Sequence, residues 1–292
     1  MSSLKEVRNR IISVTKTQKI TSAMKMVASS KLHKAQRDIE NMLPYEQGMY
    51  GMLSHLLAAG ASSAESSYSK ERGIENVAVV VFASNMSLCG SFNVNMLKRL
   101  NEVLAEYSQS VGKTHITVFP VGRKVADEID EDSFNVNHDF VEIGDKPCYE
   151  SAAHLAQTLM EMYESKKVDK VELLYYHFKS MAKQIYTRET FLPFAVSDLL
   201  SGDDGVPVLS DYILEPSADD IICEMLPKVM KLKIFTVLLD NCASEHGART
   251  LAMQTATDNA NDLLQELNVM YNKSRQQSIT NEILDIVAGS MR

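Results

Sequence analysis

The turn at residues 84–93 carries the side chains best suited to chemistry. It contains Ser87, Cys89 and Gly90 and follows an apolar run, residues 77–83, that reads as a short buried strand. α/β proteins place ligands at the carboxyl end of such a strand. A cysteine there would act as a nucleophile if it were paired with a histidine. The alternative is a small residue packed in a tight turn, because free cysteine is among the most buried residue types.

Motifs for other chemistries are absent from the sequence. None of the seven histidines falls in a metal-binding or triad pattern, and the four cysteines include no CxxC pair. Gly112-Lys113-Thr114 resembles the end of a P-loop, but Tyr107 stands where that motif needs glycine. The tripeptide also lies between a helix and a strand, which is the reverse of the P-loop order. We therefore expect no enzyme activity, no cofactor and no metal.

Length and composition are those of an ordinary globular protein. The chain has 292 residues, of which 45% are apolar and 23% are charged, so disordered and collagen-like classes are excluded. It has no apolar run near the ~20 residues that a membrane-spanning helix needs. The scattered cysteines exclude a dense disulfide scaffold and predict free thiols in a reducing compartment.

Charge is distributed unevenly along the chain. Residues 1–37 hold nine basic side chains and one acidic one, whereas residues 38–244 hold 17 basic and 31 acidic ones. A basic arm on an acidic body predicts a polyanionic partner, which could be nucleic acid, anionic lipid or an acidic protein surface. A solvated helix face is the simpler alternative. The coiled-coil pattern of the arm favours a protein partner, since DNA readers usually add a compact reading unit.

Residues 1–43 contain neither glycine nor proline and show the apolar spacing of a coiled-coil helix. The seam positions, spaced by three and four residues, are Leu4, Val7, Ile11, Val14, Gln18, Thr21, Lys25, Ala28, Leu32, Ala35, Ile39 and Met42. Three consecutive polar positions, Gln18, Thr21 and Lys25, interrupt this seam. We expect the helix to leave its partner there or to face another surface.

Residues 248–288 form a matching stretch without glycine or proline. Its seam positions are Met253, Ala256, Ala260, Leu263, Leu267 and Met270, and a new apolar set follows at Ile279, Ile283 and Ile286. Because the intervening chain must join one helix end to the other helix start, we predict antiparallel pairing. We expect the second helix to begin near Ser217 and to kink or break at Pro227.

The middle of the chain alternates strands and helices, which predicts an α/β sheet. The predicted strands are 77–83, 115–121, 171–178 and 185–194, with an extended stretch at 134–143 and helices at 94–110 and 149–165. The predicted fold class is α/β, a long antiparallel coiled coil of the N- and C-terminal helices with an inserted Rossmann-like α/β domain. The predicted boundaries are 1–58 for the first helix, 74–200 for the α/β domain and 212–292 for the second helix.

Four blocks of this sequence resemble the gamma subunit of the F-type ATP synthase. Residues 8–35 resemble the first helix of that family, and residues 87–93, Ser-Leu-Cys-Gly-Ser-Phe-Asn, resemble its Gly-Leu-Cys-Gly turn. Residues 243–260 resemble its C-terminal helix, and residues 275–289 resemble its terminal signature. The blocks cover both ends and the middle, so the sequence is identified as a member of this family.

The resemblance implies a non-catalytic rotor subunit of the central stalk. In the family, the coiled coil stands inside a ring of three alpha and three beta subunits, where ATP is made or hydrolysed. The foot binds epsilon and the membrane c-ring, which ion flow turns together with the coiled coil. Family position implies ring contacts at Arg8, Met24, Lys25, Arg275, Gln276, Thr280 and Glu282.

The resemblance also implies a location. We expect a peripheral subunit at the cytoplasmic face of the bacterial plasma membrane, held there through the c-ring. A mitochondrial location is less favoured, because the family match starts almost at residue 1.

Two rival hypotheses make different predictions. An α/β enzyme with a dimerising coiled coil would use Cys89 as its nucleophile and show thiol-dependent activity in the isolated chain. A nucleic-acid binder would use the basic arm and bind DNA with a strong dependence on salt. The rotor hypothesis predicts neither property.

Overall fold

The computed structural model describes residues 4–58, 68–69, 72–194, 215 and 217–290. Its elements are α1 Leu4–Ala58, β1 Val77–Phe82, α2 Phe92–Ser110, β2 Ile116–Val121, α3 Arg123–Ala126, β3 Asn135–Val136, α4 Tyr149–Glu164, β4 Lys170–Ser180, β5 Lys183–Leu192 and α5 Ala218–Ser290. Short 3-10 turns lie at Lys113–His115 and Val141–Gly144. No helix among these described residues is both long and apolar enough to span a membrane.

The chain divides into two compact units, which are described separately. The smaller unit comprises Met1–Ser29 with Arg249–Arg292, and the larger unit comprises Ser30–Ala248. Both α1 and α5 contribute residues to each unit.

The larger unit is built on a five-stranded sheet in the order β3-β2-β1-β4-β5. The first four strands pair in parallel, whereas β5 is an antiparallel edge strand. Every residue of β1 is fully buried, as expected for a central parallel strand covered on both faces. The predicted α/β, Rossmann-like class is confirmed.

Helices cover both faces of this sheet. One face packs against α4 and the parts of α1 and α5 in this unit, through residues such as Leu53, Leu159 and Val229. The other face packs against α2 and α3, through residues such as Met96 and Val125. The result is a three-layer arrangement in which helices bury the apolar surface of each sheet face.

In the smaller unit, α1 and α5 run antiparallel. A hydrogen bond joins Gln18 to Asn261, and another joins Thr21 to Thr257, so residue numbers rise along one helix as they fall along the other. The seam positions buried in this unit are Val7, Ala28, Met253, Ala260 and Leu267. The predicted antiparallel coiled coil is confirmed.

A kink or break was predicted at Pro227, and a break is wrong, because α5 runs without interruption from Ala218 to Ser290. Leu226 and Val229 on either side of the proline are buried. Their packing outweighs the one backbone hydrogen bond that a proline removes from a helix. The helix begins where predicted, since Ser217 Oγ accepts a hydrogen bond from the Asp220 backbone N–H at 3.2 Å.

The extended stretch predicted at 134–143 is also largely wrong. Only Asn135–Val136 pairs as a strand, and the chain then enters the 3-10 turn at Val141–Gly144. Phe140, 3% exposed, packs its ring against that of Phe119 with centroids 6.3 Å apart. Bringing this ring into the core requires the backbone to leave the sheet edge.

Candidate functional site

The turn after β1 is closed by hydrogen bonds between its own residues. Asn93 Nδ2 donates to Ser84 Oγ at 2.8 Å, and Asn93 Oδ1 accepts from the Ser84 backbone N–H at 3.1 Å. Leu88 and Gly90 adopt positive φ values of 66° and 64°, and glycine adopts such a conformation without steric cost. The turn is therefore a self-contained structural unit at the start of α2.

Cys89 is held inside this turn and is 2% exposed. Its sulfur accepts from Asn93 Nδ2 at 3.3 Å and lies 3.7 Å from Ser84 Oγ. No histidine is among its hydrogen-bond partners in the described structure. A nucleophilic thiol needs a base or positive charge beside it, and access for a substrate. The geometry thus supports the small packed residue and argues against the cysteine enzyme.

The crevice where a Rossmann fold would hold a nucleotide lies beyond the carboxyl ends of β1 and β4, where the strand order reverses. Here the rings of Phe92 and Tyr176 pack with centroids 4.9 Å apart, and both are buried. Ser87 and Gly90 lie exposed on the surface beside them. Two aromatic side chains of the protein therefore pack together at this end of the sheet.

A buried ionic cluster on β4 and β5 was not predicted from the sequence. Glu172, with its side chain 3% exposed, pairs with Arg188 Nε at 2.7 Å and with Lys170 Nζ at 2.7 Å. Tyr107 of α2 donates its hydroxyl to Glu172 Oε1 at 2.6 Å. Burial opposes ionisation of Glu172, but the hydrogen bonds from Arg188, Lys170 and Tyr107 outweigh it and lower the pKa of this carboxyl.

The cluster is structural, because its buried carboxylate is paired within the fold. Arg188 also donates through Nη1 to Glu106 at 2.6 Å, so its guanidinium bonds to two carboxylates. No local pattern predicts the cluster, since it depends on the register that sets Arg188 opposite Leu174.

The polar seam positions of α1 do not leave their partner, so that expectation is wrong. The hydroxyls of Thr21 and Thr257 lie 2.8 Å apart, and Gln18 Nε2 donates to Asn261 Oδ1 at 3.3 Å. Lys25 Nζ donates to Gln254 Oε1. A signal was present in the sequence, because the three polar residues of α5 each follow an apolar seam position and repeat its spacing.

The residues implied as ring contacts all lie on the helix pair of the smaller unit. The exposed ones are Arg8, Arg275, Gln276, Thr280 and Glu282, whereas Met24 and Lys25 are half-buried. Thr280 Oγ1 donates to the Gln276 carbonyl at 2.9 Å. Within the part of the chain that the structure describes, Arg275 and Glu282 form no ion pair.

The last turns of α5 expose large apolar side chains. Their exposed fractions are 48% for Ile279, 55% for Ile283, 59% for Leu284, 71% for Ile286 and 48% for Val287. Ile279, Ile283 and Ile286 recur at the spacing of one helix face. A contiguous exposed apolar surface marks a site of contact with a partner. At Met270, 48% exposed, the predicted seam has already ended.

Comparison with known proteins decides the family. A family model described as ATP synthase matches residues 3–291. The ATP synthase gamma chain of Phocaeicola vulgatus is 56% identical over 291 residues, which cover 100% of both chains. That of Bacteroides thetaiotaomicron is 51% identical over 300 residues, again covering 100% of both. This chain belongs to the ATP synthase gamma family.

The gamma-family fold recurs in solved structures. A chain of the Euglena gracilis mitochondrial ATP synthase in its OSCP/F1/c-ring assembly matches with a TM-score of 0.63 and 19% identity. The match covers 99% of this chain and 93% of that chain. At this identity the likeness shows the fold alone. The family predicted from the sequence is confirmed, and the chain is a non-catalytic central-stalk subunit of the F-type ATP synthase.

Proposed function

We propose that the α1–α5 helix pair of this gamma-family chain turns inside a ring of alpha and beta subunits, while the α/β unit binds epsilon and the membrane c-ring. The exposed apolar end of α5 carries this proposal. Isoleucines that are 48% to 71% exposed are unfavourable in water unless another chain covers them. A ring of subunits around the helix end would bury these side chains.

Apolar contact also suits a rotating element. Hydrophobic burial is not directional, so an apolar helix end can move past successive subunits without breaking a specific bond at each step. Coupling to ATP chemistry then requires contacts that differ in free energy between the conformations of the beta subunit. Charged and polar side chains near the apolar end supply that difference.

We assign ring contacts to the positions that family resemblance implies. The side chains of Arg8, Arg275, Gln276, Thr280 and Glu282 are exposed, and that of Met24 is half-buried. Lys25 contributes through its alkyl chain, because its ammonium already donates to Gln254. Arg275 offers a forked, charge-assisted hydrogen bond to a carboxylate, which a lysine would not reproduce.

The chain is associated with the membrane as a peripheral subunit of the complex. We place it at the cytoplasmic face of a bacterial plasma membrane, held there through the c-ring. The bacterial origin of the gamma chains that match along the full length supports this placement.

The test is affinity purification of the tagged chain from gently solubilised source membranes, followed by mass spectrometry and an ATPase assay. We expect alpha, beta and epsilon subunits in the eluate together with ATP hydrolysis. Recovery of a soluble homo-oligomer without these subunits would overturn the proposal.

Replacement of Arg275 by alanine tests the contact assignment. We expect weaker assembly or a lower yield of ion pumping per ATP, with an unchanged circular dichroism spectrum of the isolated chain. Arg99→Ala is the matched control, because Arg99 is also a surface arginine but has its partners within the α/β unit, where it pairs with Glu102 and lies over the ring of Tyr186. Equal losses in the two variants would contradict the assignment.

A further inference from the structure

Three polar pairs occupy successive turns of the α1–α5 seam. These seam pairs are Gln18–Asn261, Thr21–Thr257 and Lys25–Gln254. Each pair joins one helix to the other side chain to side chain. All six residues lie in the smaller unit, so the pairs are contacts within one compact unit.

The seam pairs interrupt packing that is otherwise apolar. Val7 precedes them on α1, and Ala28 follows them, both buried. On α5 the buried residues Met253 and Ala260 lie among their partners. Polar residues in a coiled-coil seam usually lower its stability and specify its geometry in return.

The Lys25 pair has a defined orientation. Gln254 accepts from the Lys25 ammonium through Oε1 and donates through Nε2 to both carboxylate oxygens of Asp258 at 2.8 Å. A reversed amide would place its donor against the ammonium and its acceptor against the carboxylate. The hydrogen bonds to Lys25 and Asp258 therefore hold the Gln254 amide in one orientation and direct the Lys25 ammonium toward α5.

Hydrogen bonds and apolar contacts respond differently when a helix rolls about its axis. Adjacent residues of a helix differ by about 100° around it, so a modest roll separates a donor from its acceptor. Hydrogen bonds weaken steeply as their angle departs from linear. Apolar contact is not directional and exchanges one neighbour for another at little cost.

We infer that the seam pairs set the rotational position of α1 relative to α5 and resist rolling of one helix against the other under torque. They are positioning residues for the coupling function, and of the six only Lys25 is also proposed as a ring contact. A purely apolar seam would hold the helices together but would allow part of the applied rotation to be lost as internal twist.

The test replaces by apolar ones the four side chains of the two seam pairs that contain no proposed ring contact: Gln18→Leu, Thr21→Val, Thr257→Val and Asn261→Leu. The assembled complex is measured in membrane vesicles, with ATP hydrolysis and membrane potential recorded together by an enzymatic assay and a potential-sensitive dye. We expect the isolated chain to melt at the same or a higher temperature. Hydrolysis should persist within about twofold, whereas the potential generated per ATP should fall severalfold.

A swapped pair is the matched control. Gln18→Asn with Asn261→Gln keeps a donor and an acceptor at the same level of the seam. We expect this variant to retain the potential generated per ATP. A milder double variant, Thr21→Val with Thr257→Val, removes one pair at nearly constant volume and should give an intermediate loss. It serves as the test if the four-residue variant does not assemble.

Two results would overturn the inference. One is an unchanged potential per ATP in the apolar variants. The other is a fall that merely parallels lost hydrolysis or a lowered melting temperature, which would indicate a structural role only. If instead the wild-type chain generated no potential in the complex, the rotor function itself would fail, and the two failures are thus distinguishable.

Discussion

Glu172 in the larger unit and Ile286 in the smaller unit have the opposite burial to that usual for their residue types. The glutamate is only 2% exposed, whereas the isoleucine is 71% exposed. The chain itself resolves the first case, because Arg188, Lys170 and Tyr107 satisfy the buried carboxylate. The described structure does not resolve the second. The charges of the larger unit are thus paired within the chain at this cluster, whereas the apolar end of α5 is the surface that we propose a partner subunit covers.

Glu172→Ala should have the largest effect on the stability of the isolated chain. Removing one partner from a buried ionic cluster leaves the others uncompensated, which costs about 3 kcal/mol. Chemical denaturation followed by circular dichroism measures this loss. Glu102→Ala is the control, since the Arg99–Glu102 pair is exposed on both sides and such pairs contribute below about 1 kcal/mol. Similar losses in the two variants would contradict the distinction.

Two glycines of α5 should respond to alanine with opposite signs. A Cβ on Gly247 would lie 2.8 Å from Phe178 Cε2, whereas a Cβ on Gly289 would meet nothing within 4 Å. We expect Gly247→Ala to destabilise the isolated chain by about 2 kcal/mol through overpacking. Gly289→Ala should be neutral or slightly stabilising, since alanine is the better helix former. A stabilising Gly247→Ala, measured by thermal melting, would show that Phe178 moves aside.

The buried Glu172 and the half-buried Glu46 of the larger unit should give opposite pH effects. The pKa of Glu172 is lowered, because the bonds from Arg188, Lys170 and Tyr107 outweigh burial, so its stabilisation is present above pH 4.5 and is lost as pH falls through the lower folded value. Burial raises the pKa of Glu46, so its ionisation disfavours the fold as pH rises above 4.5.

Glu46→Gln should therefore raise the melting temperature more at about pH 8 than at about pH 4. In wild type, stability should fall below about pH 4.5, and Glu172→Ala should flatten that fall. Melting curves across pH check both expectations. A Glu46→Gln effect that does not change with pH would argue that the glutamine acts through packing.

The double variant Ile283→Ser with Ile286→Ser should have the smallest effect on the isolated chain. Substitutions of exposed side chains change stability by at most about 0.5 kcal/mol. Assembly with the alpha and beta subunits should nevertheless weaken, which co-purification measures. Leu251→Ser, at a residue 44% exposed on the same helix, is the control. A loss of stability in the isolated double variant would show that the end of α5 packs within the chain.

Local sequence patterns were sufficient to predict the elements in which buried residues recur at regular spacing along the chain. The apolar run at residues 77–82 became a fully buried strand, and the spacing of Val7, Ala28 and Leu267 identified buried seam positions. The same reasoning failed where neighbours distant in sequence decide the outcome. Leu226 and Val229 keep α5 intact across Pro227, and Phe140 draws the chain into a turn.

The candidate site divides in the same way. The sequence by itself determined the family and the two long helices, because motif spacing and helical periodicity are properties of the linear chain. Only the tertiary structure decided that Gln18, Thr21 and Lys25 face polar residues of α5, and that Glu172 meets Arg188. Hydrogen bonds and ion pairs depend on distance and direction within a few ångströms, and residues more than two hundred positions apart acquire these only when the chain folds.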